Sequence, residues 1–261
     1  MLTFGADDIA RWGGEFFWPF LRILALLAAA PGFNSPLVPP RVKVALAMAI
    51  AVVIGTTLQQ THPLDVSWAS AVLAAEQVLV GLAIGFSMQL VLTSLSVAGE
   101  FVGVQMGFGI ASLFDPQTGF DVPVISNFFS LTGLVLFLAL NGHLVMLAVL
   151  MKSFELVPIA AGNGITAGGW RALASAGTAL FQMGLWLALP VIAVLLAAHM
   201  AVAILSRVAP QFNVISIGFS IFMLVGLAGT VAVVPFLVPA VTRIIEAGSQ
   251  LAMRVLGLVP P

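Results

Sequence analysis

Arg22, Glu76 and His143 are ionisable side chains inside otherwise apolar stretches. A charge at a bilayer centre costs about 2.5–3.5 kcal/mol on insertion scales, so such residues usually face a cavity or a protein partner. Two readings fit them. One is a proton or ion pathway; the other is a buried polar contact between helices or subunits, with snorkelling near a segment end as a variant. A relay wants several carboxylates along one path, and only Glu76 lies well inside a span, which favours the contact. His62, His143 and His199 are far apart, and none has a partner at i+3 or i+4. With no HExxH motif and no cysteine, neither a metal site nor a thiol nucleophile is expected. Gly-Phe-Ser at 85–87 and 218–220 lacks the second glycine of a nucleophile elbow. Ser87 and Ser220 therefore read as hydroxyls bonded within helices, and an intramembrane Ser220–His199 pair is the hydrolase alternative. Gly107-Phe-Gly109 resembles half a dinucleotide fingerprint, but Ser112 stands where the third glycine belongs and no strand precedes it. No cofactor is expected.

The elements that must position these residues are apolar throughout. Of 261 residues, 61% are hydrophobic and 7% charged, with mean hydropathy +1.17. Soluble domains carry about 25% charged residues, so nine basic and ten acidic groups cannot clothe a soluble protein of this length. The chain reads as an all-α integral membrane protein. A net charge of −1 leaves no basic footprint for nucleic acid. Alternating barrel patterning is absent, and runs such as Leu185–Ala203 are, but for His199, apolar all round. The first fifteen residues carry Asp7, Asp8, Arg11 and Glu15, unlike a signal peptide's basic start.

Charge-poor stretches divide residues 1–261, read as a single membrane domain, into about six helical segments: 16–33, 44–60, 68–98, 122–151, 173–206 and 212–242. Pro31-Gly32, Asp115-Pro116 and Pro210-Gln211 mark connections. Trp12, Trp18, Trp68 and Trp170 fall near segment ends, where amphipathic rings prefer to sit. With six crossings, Arg11, Lys152, Arg171, Arg243 and Arg254 share one side against Arg41, Lys43 and Arg207, too even a split to orient the chain. The third segment is unusual. No proline occurs between Pro63 and Pro116, and a helix through 68–107 would measure roughly 60 Å, about twice the hydrocarbon thickness. Either it breaks near Glu100 or it continues out of the bilayer into a protein environment.

Glycine spacing bears on that choice. Gly81 and Gly85 are four apart, as are Gly99, Gly103 and Gly107; 81 to 99 and 85 to 103 each span 18 residues, five turns of a continuous helix. Such a stripe admits a closely packed helix, without which each glycine costs about 1 kcal/mol relative to alanine. The neighbour could be intra-chain or another subunit. The segment 106–115 is glycine-punctuated yet carries Met106, Phe108, Ile110, Leu113 and Phe114. Five large apolar groups in a loop must be buried in protein or line a constriction. A pore plug and a packed re-entrant connection both meet that demand.

The order of several motifs is similar to one family. Val38-Pro39-Pro40-Arg41-Val-Lys43 precedes Glu76-(x)4-Gly81-(x)3-Gly85, then Gly99-(x)3-Gly103-Val-Gln105-Met-Gly107, Asp115-Pro116 and Pro123. Asn141-Gly142-His143, Phe154-(x)3-Pro158 and Arg207-Val-Ala-Pro210-Gln211-Phe-Asn213-Val, with Gly218-Phe219, follow. Together they resemble the FliR/SctT family of type III protein export gates over nearly the whole chain. The Ala-Pro-Gln-Phe-Asn-Val run is nearer the flagellar than the injectisome branch.

The resemblance implies a non-enzymatic subunit of helical hairpins in a hetero-oligomeric gate. Its partners would be P-type and Q-type subunits, a B-type subunit at the entrance, unfolded exported proteins and membrane lipid. The location implied is the bacterial inner membrane, in the flagellar basal body. The family's apolar plug maps to about 106–115, with Met106, Phe108, Ile110, Leu113 and Phe114 as pore residues. Arg22, Arg41, Lys43, Glu76, Glu100, His143 and Arg207 would make inter-helix or inter-subunit polar contacts. Service in an injectisome gate is one alternative, and a small-solute secondary transporter, which would show inverted repeats, is the other.

Overall fold

A computed structural model describes residues 6–56, 67–108, 124–160, 162, 164–209 and 214–257. Among them the regular structure is helical: α1 (Ala6–Ala29), α2 (Pro40–Gly55), α3 (Trp68–Gln105), α4 (Val124–Ala139), α5 (Gly142–Leu156), α6 (Ala167–Val208) and α7 (Val214–Val255). Apolar helices satisfy their backbone groups within the segment, which the hydrocarbon requires. Three helices, α3, α6 and the Gly218–Val255 part of α7, are each long and apolar enough to cross a membrane, and the α4–α5 pair adds a fourth if it is one span. The six-segment expectation thus gives way to seven described helices of unequal length.

The segment 122–151 is divided rather than continuous. Asn141 adopts φ 59° and starts α5 from a left-handed conformation, one that asparagine tolerates better than most residues. The Asn141 carbonyl then accepts the Leu144 and Val145 amides at 2.9 and 3.2 Å. Residues 68–105, by contrast, form one helix of 38 residues, about 57 Å long, with no break near Glu100. It stops where Gly107 takes φ 87°, and the Gly107 amide donates to the Val104 carbonyl at 3.0 Å. A side chain at this position would be strained, so glycine ends the helix.

The chain forms two compact units. The first comprises Met1–Val91, Asn141–Gly177 and Ile245–Pro261; the second comprises Leu92–Leu140 and Thr178–Ile244. In the first unit, α1 packs on α2, and Pro40 opens α2 at a position where a missing amide proton costs nothing. Trp18, Ile23, Leu26, Ile84, Met88 and Met146 are its largest fully buried apolar side chains or close to it. Trp18 is therefore a core residue, edge-on to Phe17 with ring centroids 5.2 Å apart, and no interfacial anchor. Trp68 and Trp170 are exposed, as a belt residue would be. The second unit buries Leu95, Val102, Met106, Phe129, Phe137 and Leu195.

Candidate functional site

The first unit is centred on Arg22. This arginine of α1 has no exposed surface, although it sits between apolar turns. Its Nε donates to Gln77 Oε1 of α3 at 2.8 Å. Nη1 donates to the Ser153 carbonyl at 2.9 Å and to Ser153 Oγ at 3.1 Å, and Nη2 to the Val157 carbonyl at 2.8 Å. The guanidinium carbon lies 4.4 Å from the Phe154 ring centroid, within cation–π range. Ser153 and Val157 belong to the last turn and C-cap of α5. The Ser153 carbonyl also accepts the Val157 amide at 3.0 Å, whereas the Val157 carbonyl lies past the last helical donor, and both sit at the negative end of the helix dipole. Arg22 therefore caps α5 from another helix, and its planar fork reaches α3 and the end of α5 at once through four bonds, which a lysine could not do.

The neighbouring residue on α3 extends the junction. The Glu76 carboxylate accepts the Gly162 amide at 3.0 Å (Oε1) and 3.3 Å (Oε2). Consecutive residues 76 and 77 thus hold both the end of α5, through Arg22, and the connection that follows it.

Two glycines let α1 and α3 meet. A Cβ on Gly81 would collide with the Arg22 carbonyl oxygen, and one on Gly85 would lie 2.5 Å from the Leu26 carbonyl oxygen. Both obstacles are backbone and cannot rotate away. Within the second unit, a Cβ on Gly99 would lie 2.5 Å from Ser126 Cα, and Ser126 Oγ donates to the Ser96 carbonyl at 2.9 Å. The neighbours of Gly81, Gly85 and Gly99 are therefore in the same chain, α1 for the first two and α4 for the third. Gly103 is different: its nearest neighbour is Phe108 Cδ2 at 4.0 Å.

Of the apolar segment 106–115, Met106 is buried against Gly226 and Phe108 is half-buried. Ile110, Leu113 and Phe114 lie outside the described residues. The remaining candidate polar residues do not converge. Arg41, Glu100 and Arg207 are exposed and Lys43 is half-buried. His143 Nδ1 is buried with no hydrogen-bond partner among the described residues. His199 stacks on Phe222 with ring centroids 3.7 Å apart, and its Nδ1 meets the Leu195 carbonyl at 2.7 Å. Facing a carbonyl, that nitrogen carries the proton. Sequence reasoning singled out Arg22 but missed Gln77, Ser153 and Val157, two of which contribute backbone atoms that carry no residue-type signal.

The fold is that of a helical, apolar, multi-pass membrane protein. The chain matches the family described as bacterial export proteins, family 1, over residues 14–248. Flagellar biosynthetic protein FliR of Pectobacterium carotovorum subsp. carotovorum is 40% identical over 239 residues, covering 92% of this chain and 91% of that protein. FliR of Escherichia coli (strain K12) is 37% identical with the same coverage, and FliR of Bacillus subtilis (strain 168) is 30% identical over 205 residues, 78% of this chain and 79% of that one. The chain belongs to the FliR family of bacterial export proteins.

Proposed function

We propose that this chain is a structural subunit of the bacterial flagellar type III protein export gate in the inner membrane, where it builds, with P-type and Q-type subunits, the pore for unfolded flagellar proteins. A B-type subunit meets the entrance. The observation that carries this reading is similarity to flagellar biosynthetic protein FliR along 92% of the chain. The exposure of its helices supports it. The apolar window of α3 is 61% buried, but those of α6 and α7 are only 22% buried. Surface that apolar needs lipid or other subunits around it.

Within this reading the chain does no covalent chemistry. The segment 106–115 rests as an apolar plug anchored by Met106, and opening exchanges its contacts with the pore wall for contacts with a passing chain. The junction at Arg22 holds the end of α5 in place while the plug moves. Two measurements test it. The chain should co-purify in mild detergent with two small hydrophobic companions of P and Q type; a chain that purifies alone and transports a solute in liposomes would return the transporter reading. Replacement of 108–114 by Gly and Ser should make the assembled gate leak ions, and an unchanged membrane conductance removes the plug.

A further inference from the structure

The second unit has an open groove between α6 and α7. It consists of two cavities, ≈ 520 and ≈ 430 Å³, that share Trp186 and Leu187. Met183, Arg243 and Ile244 line one end; Val194 and Gly229 line the other. From Met183 to Val194 the groove follows α6 for twelve residues, about 16 Å of helix rise, which matches one leaflet of a hydrocarbon core about 30 Å thick. Among the described residues that line it, Arg243 carries the charge. Trp186 is 74% exposed and offers only an indole N–H. The hydrogen-bonding side chains of the groove are thus donors, confined to one end and the turn next to it, and the rest is apolar.

We infer that this groove holds one phospholipid with an anionic headgroup. The headgroup phosphate accepts from Arg243, and an acyl chain lies along Leu187, Pro190, Val191 and Val194. The complementarity is one of charge and of hydrogen-bond polarity. A phospholipid carries acceptor oxygens and negative charge at one end and hydrocarbon along the rest. A partner helix would have to bring an acceptor to Arg243 while staying apolar for the next 16 Å or so. The inference rests on the membrane setting and is independent of the export-gate reading.

The full chain in nanodiscs provides the test, with phosphatidylglycerol or phosphatidylcholine carrying brominated acyl chains as quencher. Subtracting the signal of Trp186→Phe isolates Trp186. An arginine near an anionic surface contributes about a fivefold preference. Trp186 quenching should therefore half-saturate at about fivefold lower mole fraction of phosphatidylglycerol than of phosphatidylcholine. Arg243→Gln should abolish the preference and Arg243→Lys keep it. Native mass spectrometry of the unsubstituted chain gives a readout that needs no variant: phosphatidylglycerol adducts should outnumber phosphatidylcholine adducts about fivefold at equal mole fraction. Equal quenching by the two headgroups, equal adducts, or a preference that survives Arg243→Gln overturns the inference. So does loss of all Trp186 quenching when partner subunits co-purify, because a protein then covers the groove.

Discussion

Replacing Arg22 by methionine removes a guanidinium but leaves its acceptors in place. The Ser153 carbonyl keeps the Val157 amide at 3.0 Å, and Ser153 Oγ keeps its bond to the Leu150 carbonyl at 2.6 Å. Gln77 Oε1 and the Val157 carbonyl lose the donors that Arg22 supplies. Two buried acceptors left bare cost about 1–3 kcal/mol each. The lost contact with Phe154 adds about 1 kcal/mol, and release of a buried charge offsets part of the sum. A net destabilisation of about 3 kcal/mol follows, about a hundredfold in the folded-to-unfolded ratio. On the scale of domains of similar length, the apparent Tm of the detergent-solubilised chain should fall by about 6–12 °C, at about 2–4 °C per kcal/mol. The midpoint can be read from the loss of the monodisperse chromatographic peak on heating. Arg22→Lys should recover little, since one ammonium with three donors cannot make the four bonds spread over α3 and the end of α5. Adding Gln77→Leu to Arg22→Met should restore stability, because it removes one of the orphaned acceptors. An Arg22→Met chain within 2 °C or so of the parent, or a double variant worse than the sum of its parts, would refute the reasoning.

Two further expectations follow from the same packing. Gly81→Ala should destabilise the solubilised chain strongly, since its Cβ meets the Arg22 backbone, whereas Gly103→Ala, with open space around it, should be neutral or stabilising by up to about 1 kcal/mol; thermal midpoints measured side by side check the order, and a reversed order contradicts it. Glu76→Ala should speed hydrogen exchange at the Gly162 amide by about fivefold, the loss of a bond worth about 1 kcal/mol, while Glu76→Gln, which keeps an acceptor oxygen, should leave it within about twofold; mass-spectrometric exchange on the 157–166 peptide reads both.

Much of the architecture was legible in the residues, for physical reasons that also explain what was not. The composition requires a membrane, and the 18-residue glycine spacing is meaningful only on one unbroken helix, which α3 is. Arg22 stood out because a charge within an apolar run needs a partner. Its partners are 55 to 135 positions away, and two of the acceptors are carbonyls that every residue possesses, so periodicity could not find them. The stripe called for close neighbours without naming them, since any helix can fill a glycine groove. The division at Asn141 had a signal that apolarity masked: Asn-Gly is a turn dipeptide, but a count of charges passes over it. Trp18 misled because an amphipathic ring near a segment end is as suited to a core as to an interface. The α6–α7 groove had no signal, since its lining alternates between two segments whose register only the fold supplies.

These observations bear on why a buried cation is kept where apolar side chains would cost less to desolvate. A buried ionic group is weak evidence for stability, and its best-attested use is to specify one arrangement among several. Apolar helices slide on one another cheaply, because one greasy contact resembles the next. The Arg22 fork admits one register. Its four bonds fall on α3, on the last turn of α5 and on the residue that caps it, and a shift of one residue would move every acceptor by about 1.5 Å along its axis and swing it about 100° around the helix. Gly81 and Gly85 bring α1, which carries the fork, into backbone contact with α3, so the charge sets the register and the glycines set the distance. A subunit that passes foreign chains through an assembly must keep its own helices from exchanging with them. A passing apolar segment can imitate leucine, but it cannot supply Gln77, Ser153 and Val157 to Arg22 together.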